Sequence, residues 1–263
     1  MIGLFLGKTD FPKRILNKLK KRKIKYFIID LTKKKIFKKD INSYPINIGR
    51  FGQILKLINE KKCKKVIFAG KIDKPKISTL RLDGKGIYYI PRIIKAAKLG
   101  DAAILRELIK ILDENKIKVI KSNFYNPELT LPKGNYTIKK PSKLDLMNIK
   151  IGINDLKKIN SYNHVQGLII RNKKIISRET VKGTKKMIQS IKKDKNNPAI
   201  LIKYPKKKQD LRTDLPTVGL DTLKDCKKFG INGIVLKSKQ NIFLDKEKSI
   251  KFANKNKIFI NII

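Results

Sequence analysis

The densest chemistry in this chain lies in Lys203-Tyr204-Pro205-Lys206-Lys207-Lys208-Gln209-Asp210-Leu211-Arg212-Thr213-Asp214-Leu215-Pro216-Thr217-Val218-Gly219. The run follows an apolar segment read as a buried strand, Ala199–Lys203, and precedes a helix expected near Thr222. It is therefore a long loop at a strand end, a place where irregular chain usually serves function. Asp210 and Asp214 are near enough in sequence to converge on one oxygen-preferring cation. Arg212 and Lys203 can hold phosphate oxygens while a carboxylate positions water. The pattern suits phosphate handling.

Other segments offer related chemistry. Arg178-Glu179-Thr180, followed by Gly183-Thr184, combines a strand end, an acid and a Gly-Thr turn heading a helix. Gly3 and Gly7-Lys8-Thr9 after the first strand approach a P-loop, but a Walker A would need Gly at the position of Ile2. Two readings of that turn stay open: backbone N–H groups and a helix dipole turned to an anion, or a tight turn that needs Gly. Lys71, just past the third strand in Phe68-Ala69-Gly70-Lys71 and ahead of Lys74-Pro75, sits where open α/β sheets bind ligands. Asp101, after Leu99-Gly100, stands at a helix start with Arg106 five residues on. His164, the only histidine, has no acid or cysteine beside it and is read as a packing or surface residue.

These residues need elements to hold them. Ile2–Leu6, Tyr26–Leu31 and Lys65–Gly70 read as strands, separated by a helix at Phe11–Lys20, with Asp10 as its N-cap, and a second helix at Arg50–Lys62. Ile93–Asn115 continues as helix broken near Gly100, and Lys118–Lys121 as strand. Such alternation predicts a parallel sheet flanked by helices. Pro132, Gly134 and Pro141 mark a linker at 132–142. Beyond it, Gly167–Arg171 and Lys174–Ser177 form a strand pair turning at Asn172-Lys173. Helices follow at Lys185–Lys192, Thr222–Phe229 and Lys246–Asn254, with strands at Ala199–Lys203, Gly233–Leu236 and Ile258–Ile263. The expected architecture is α/β: a Rossmann-like N-terminal domain (1–131), the linker, and a mixed C-terminal catalytic domain (143–263). A ligand cleft is expected between them.

Composition bounds the rest. The chain has 263 residues, 41% of them hydrophobic, so it can bury a substantial core. Its apolar runs are too short to span a bilayer, and Ile2–Leu6 is read as a strand, not a signal peptide. Cys63 and Cys226, far apart and without a CxxC, suit a reducing cytoplasm and no structural zinc site. The formal charge of +44 raises the prospect of a polyanion partner. Only nine of the 65 basic residues are Arg, however, and the lysines are scattered among Ile and Asn. Arg, not Lys, reads phosphates and bases in bidentate fashion, so the charge is attributed to compositional drift and nucleic acid is not expected as a partner.

At the loop residues the sequence resembles the LpxI family, the UDP-2,3-diacylglucosamine pyrophosphatases of lipid A synthesis. The resemblance rests on Lys203, Pro205, Gln209, Arg212, Asp214-Leu215-Pro216-Thr217, Gly219 and Thr222. Further matches are Gly49, Phe51-Gly52, Phe68-Ala69-Gly70, Pro75, Gly100-Asp101, Leu105-Arg106, Gln166-Gly167, Glu179, Gly183-Thr184, Gly230 and Gly233-Ile234. The resemblance implies magnesium-dependent hydrolysis of a lipid-bearing UDP-sugar to 2,3-diacylglucosamine 1-phosphate and UMP. It also implies an essential role for Asp214, binding magnesium or aligning water, with Asp210 and Glu179 as helpers at the metal. Arg212, Lys203 and Lys71 become expected phosphate contacts. Gly7, Asp101, Arg106, Gln166, Gly183, Thr184, Gln209, Thr217, Gly219 and Thr222 become expected substrate contacts. Contact with the inner membrane from the cytoplasm and homo-oligomers are compatible with such a substrate. This sequence departs from the family at Lys185, where an Asp usually follows Gly-Thr, and in its thinned Gly7-Lys8-Thr9 turn. Two alternatives stand beside this reading: a non-catalytic basic protein binding nucleic acid or anionic lipid, and a same-fold hydrolase of another nucleotide diphosphate.

Overall fold

The computed structural model describes residues 1–72, 80–159, 165–206 and 209–263, with Asp101 described by its backbone only. His164, Lys74-Pro75 and Lys207-Lys208 lie outside the described residues. The chain divides into two compact units. The first comprises Met1–Pro127 together with Asp210–Asp214, and the second Glu128–Gln209 with Leu215–Ile263.

The first unit runs β1 (Ile2–Leu6), α1 (Asp10–Lys21), β2 (Tyr26–Asp30), β3 (Ser43–Pro45), α2 (Phe51–Glu60), β4 (Lys65–Ala69), α3 (Gly84–Ala97), α4 (Asp101–Glu114) and β5 (Lys118–Val119). Its sheet has the order β3-β2-β1-β4-β5 and is parallel throughout. That is a doubly wound strand order, with its topological switch point between β1 and β4. Both faces of such a sheet are covered, so β1, β2 and β4 are nearly continuous apolar runs. Phe5, Phe27, Ile29, Val66 and Phe68 form one core with Phe51, Ile54 and Ile58 of α2 and Ile109, Ile111 and Leu112 of α4.

The second unit adds β6 (Gly134–Asn135), α5 (Lys143–Lys158), β7 (Gly167–Arg171), β8 (Lys174–Arg178), α6 (Gly183–Gln189), β9 (Ala199–Lys203), β10 (Thr217–Val218), α7 (Leu220–Lys228), β11 (Ile231–Leu236), β12 (Ile242–Phe243), α8 (Lys246–Lys255) and β13 (Phe259–Ile262). Its main sheet has the order β6-β13-β11-β9-β7-β8 and is mixed. The strands β9, β11 and β13 are parallel, whereas β6, β7 and β8 join antiparallel. Alternate residues sort between two cores. Leu168, Ile170, Ile200 and Ile202 pack with Ile149 of α5. Ile169 and Leu201 pack with Met187, Leu223, Cys226 and Ala253 of α6, α7 and α8.

Several expected boundaries change. The stretch 132–142, expected as a linker, contains β6, which pairs with Asn261 and Ile262 at the sheet edge. Asp10 is the first helical residue of α1, and Thr9 holds the cap position. The helix expected from Ile93 starts at Gly84, because Asp83 caps it by accepting from Gly86 N–H at 2.8 Å. The same carboxylate accepts from Gly52 and Gln53 N–H at 3.0 and 2.9 Å in the first turn of α2. One acid thus serves two helix starts, which is why Gly49 and Gly52 are small: a Cβ at Gly49 would lie 2.8 Å from the Arg81 carbonyl.

Candidate functional site

The candidate loop departs from the carboxyl end of β9, where Lys203 pairs in register with Gly167 and Leu236. Backbone pairing and burial hold the Lys203 stem in the sheet, and its carbonyl accepts from Asn241 Nδ2 at 3.0 Å. Its ammonium turns to Glu179 Oε1 at 3.3 Å and to the Thr184 hydroxyl. Thr184 Oγ1 in turn donates to Glu179 Oε1 at 2.6 Å. Glu179 is fixed from the backbone as well, since its N–H donates to the Gly167 carbonyl at 2.9 Å. Lys203, Glu179 and Thr184, which the sequence offered on two separate candidate segments, therefore meet. Both charged members are buried, so the ammonium is committed to its acid, which is the arrangement a buried charge requires. Glu179 Oε2, also buried, makes no hydrogen bond within the described residues.

Around this trio the loop is braced. Tyr204 N–H donates to the Gln166 carbonyl at 2.8 Å, and burial pushes the Tyr204 hydroxyl up to about 12, so it stays protonated at neutral pH. Gln209 is buried, and its Oε1 accepts from Lys206 N–H at 2.8 Å. Thr217 opens β10, which pairs with Ile242–Phe243 of β12. Gly219 is the cap residue of α7 and passes against Leu244, where a Cβ would stand 3.1 Å from the Leu244 Cβ. Thr222, half-buried, lies in the first turn of that helix. Gly183 starts α6 with φ +81°, a backbone conformation that disfavours any side chain.

Between Gln209 and Leu215 the loop joins the first unit. Arg212 carbonyl accepts from Ser122 N–H at 2.7 Å, just past β5. Its guanidinium grips Asp210 from two sides: Nε to Oδ1 at 3.0 Å and Nη2 to Oδ2 at 2.8 Å. Burial alone would raise the Asp210 carboxyl, but hydrogen bonds from the Arg212 side chain and backbone, and the charge of Arg106, hold it below its ordinary value. Asp214, half-buried, closes the turn by donating its N–H to the Asp210 carbonyl at 3.1 Å. Asp210 and Arg212 are thus brought together, with Arg106 of α4 adding its field.

At the edge of the first sheet, the tight-turn reading of Gly7-Lys8 has backbone support. Gly7 N–H donates to the Ala69 carbonyl at 2.8 Å, and Lys8 N–H to the Lys71 carbonyl at 2.9 Å. Lys8 and Lys71 form an antiparallel bridge, so these two N–H groups are hydrogen-bonded within the fold. Gly7 is needed for close approach, because a Cβ there would collide with the Lys71 carbonyl. Lys71 itself is exposed beside this bridge, and Asp101 is the first residue of α4.

Among the described residues no three His, Cys, Asp or Glu side chains form a group able to hold a metal ion. Both oxygens of Asp210 are on Arg212, which does not fit the role of a metal helper, and Oε1 of Glu179 is on Lys203 and Thr184. Sequence reasoning missed Ser122 and Asn126, which flank the Phe124-Tyr125 pair after β5. Both are buried, and Ser122 Oγ and Asn126 Oδ1 make no hydrogen bond within the described residues. Their position at the carboxyl end of a parallel strand was the available signal.

Two family models match the chain: the LpxI N-terminal domain over residues 1–129 and the LpxI C-terminal domain over 132–261. The chain belongs to the LpxI family. It is also 27% identical over 231 residues to the UDP-2,3-diacylglucosamine pyrophosphatase LpxI of Caulobacter vibrioides, an alignment spanning 84% of this chain and 82% of that relative. Two α/β units, as the LpxI resemblance implied, are what the fold contains. No described helix is long and apolar enough to cross a membrane.

Proposed function

We propose that this chain hydrolyses the diphosphate of UDP-2,3-diacylglucosamine, giving 2,3-diacylglucosamine 1-phosphate and UMP. The reading is supported by membership of the LpxI family and by the named activity of the Caulobacter relative. The observation that carries it in this chain is the short turn Asp210–Asp214, which its own hydrogen bonds and Ser122 hold in a fixed conformation. A catalytic acid must be held in place before substrate arrives, and such preorganisation is what makes an electrostatic group effective.

In this reading Asp214 works on the reacting phosphate, aligning water or holding magnesium. Arg212 and Asp210 position it: the guanidinium closes the turn on which the Asp214 backbone rests. Magnesium retains most of its octahedral shell in water and phosphate oxygens and takes one or two protein carboxylates. In this reading Asp214 would be the protein ligand, since among the described residues no cluster of carboxylates could cage the ion. When bound, the ion would supply charge neutralisation on the diphosphate. Lys203, Glu179 and Thr184 act in this proposal as the brace that aims the loop, not as contacts to phosphate.

Release of UMP from UDP-2,3-diacylglucosamine, followed with magnesium and with a chelator, tests the proposal. UMP formation that stops on chelation is expected. No UMP under either condition, or turnover only of other nucleotide diphosphates in a substrate panel, would overturn it.

A further inference from the structure

We propose that the outer face of α5 docks on the surface of a bilayer containing anionic phospholipid. One side of this helix, with Asp145, Asn148, Ile149 and Gly152, is buried. On the other side Leu144, Met147 and Ile151 are 44%, 51% and 37% exposed. At 3.6 residues per turn these three positions share an arc of about 60° and form one apolar stripe along the helix. Lys143, Lys150 and Lys157, all exposed, follow in the adjoining arc, and Leu146, 52% exposed, lies on its far margin.

The net charge on this face is positive. Both carboxylates of α5 are engaged: Asp145 closes a capping box with Ser142, and Asp155 is neutralised by the half-exposed Arg178, from which it accepts at 2.7 and 3.0 Å. An exposed apolar stripe with lysines along one margin and an Asp155–Arg178 ion pair along the other carries net positive charge. It suits a helix lying in a bilayer interface, where apolar side chains enter the acyl boundary and lysines meet lipid phosphates. A second copy of the chain would present the same lysines, and the +44 charge of each copy would oppose their approach. An anionic surface is the occupant that satisfies both halves of the face. The inference stands apart from the hydrolase reading, because it concerns binding to lipid without substrate.

The experiment uses the full chain and vesicles of phosphatidylglycerol and phosphatidylethanolamine. An environment-sensitive fluorophore is attached through Met147→Cys and, as a control, through Lys56→Cys on α2, where the side chain is 76% exposed. Cys63 and Cys226 are buried, so the label goes to the introduced thiol. A blue shift with vesicles at position 147 and none at 56 is expected. The charge-neutral variant Leu144→Ser/Met147→Ser/Ile151→Ser should partition onto vesicles roughly tenfold more weakly, as loss of buried apolar area requires. Its melting curve checks that it folds; if it does not, the fluorophore at 147 decides alone. No shift at 147, an equal shift at both sites, or undiminished partitioning of a folded triple variant would overturn the proposal. So would a dimer that the triple substitution dissociates, which would assign the face to a second copy.

Discussion

Asp210 and Asp214 are four residues apart, and the proposed function gives them different work. Both oxygens of Asp210 receive hydrogen bonds from Arg212, so that acid is part of the scaffold. Asp214→Asn, which keeps the shape and removes the charge, is expected to lower the rate of UMP release on the order of 10²–10³-fold. Steady-state assay beside an unchanged melting curve checks this. Asp83 is a second acid whose place in the chain hid its use. Burial would raise its carboxyl, but N–H donors from Gly52, Gly86 and Gln53 outweigh that and hold it below its ordinary value. A carboxyl depressed in the folded state stabilises the fold above the unfolded-state value, and that contribution disappears as pH falls through the folded one. Asp83→Ala should therefore destabilise the protein by about 1–2 kcal/mol at neutral pH. The difference from the parent should shrink below about pH 4, near the unperturbed carboxyl value, as denaturant titration across pH will show.

At the scale of elements, close approach decides more than propensity. Gly233 of β11 lies beneath the Phe259 ring, which is fully buried, and a Cβ there would overlap ring carbons. Gly233→Ala should destabilise by roughly 1–3 kcal/mol, the usual range for overpacking, read as a lower denaturation midpoint at unchanged slope. The helix α5 shows why some elements were illegible. Its buried positions include Asp145, Asn148 and Gly152 while Leu144, Met147 and Ile151 are exposed, so its apolar pattern does not point to its buried face. The capping box Ser142–Asp145, seen in the structure, was the available local signal of its start. The strands β10 and β12, of two residues each, are likewise too short to display a period. By contrast β7 and β8 were legible as two apolar runs parted by Asn172-Lys173, and both of these residues take positive φ, the backbone of a two-residue hairpin turn.

For the whole molecule, 65 basic residues against 21 acidic ones mean that folding concentrates like charge. Added salt screens that repulsion, so the melting temperature should rise as sodium chloride increases from about 10 to 300 mM, over which the Debye length falls from about 30 to below 8 Å. Scanning calorimetry over that range checks the sign, and a falling midpoint would show that ion pairs dominate. The order of apolar runs, turn residues and the Asp214-Leu215-Pro216-Thr217 motif by themselves determined the α/β class and the LpxI kinship, because burial periodicity and motif spacing are local properties of a chain. The tertiary structure alone decided which groups are committed. It closed the Gly7 turn on Lys71, gave Asp210 to Arg212 and gave Lys203 to Glu179. Whether a donor or charge is available depends on neighbours distant in sequence, and only folding brings those neighbours within hydrogen-bonding range.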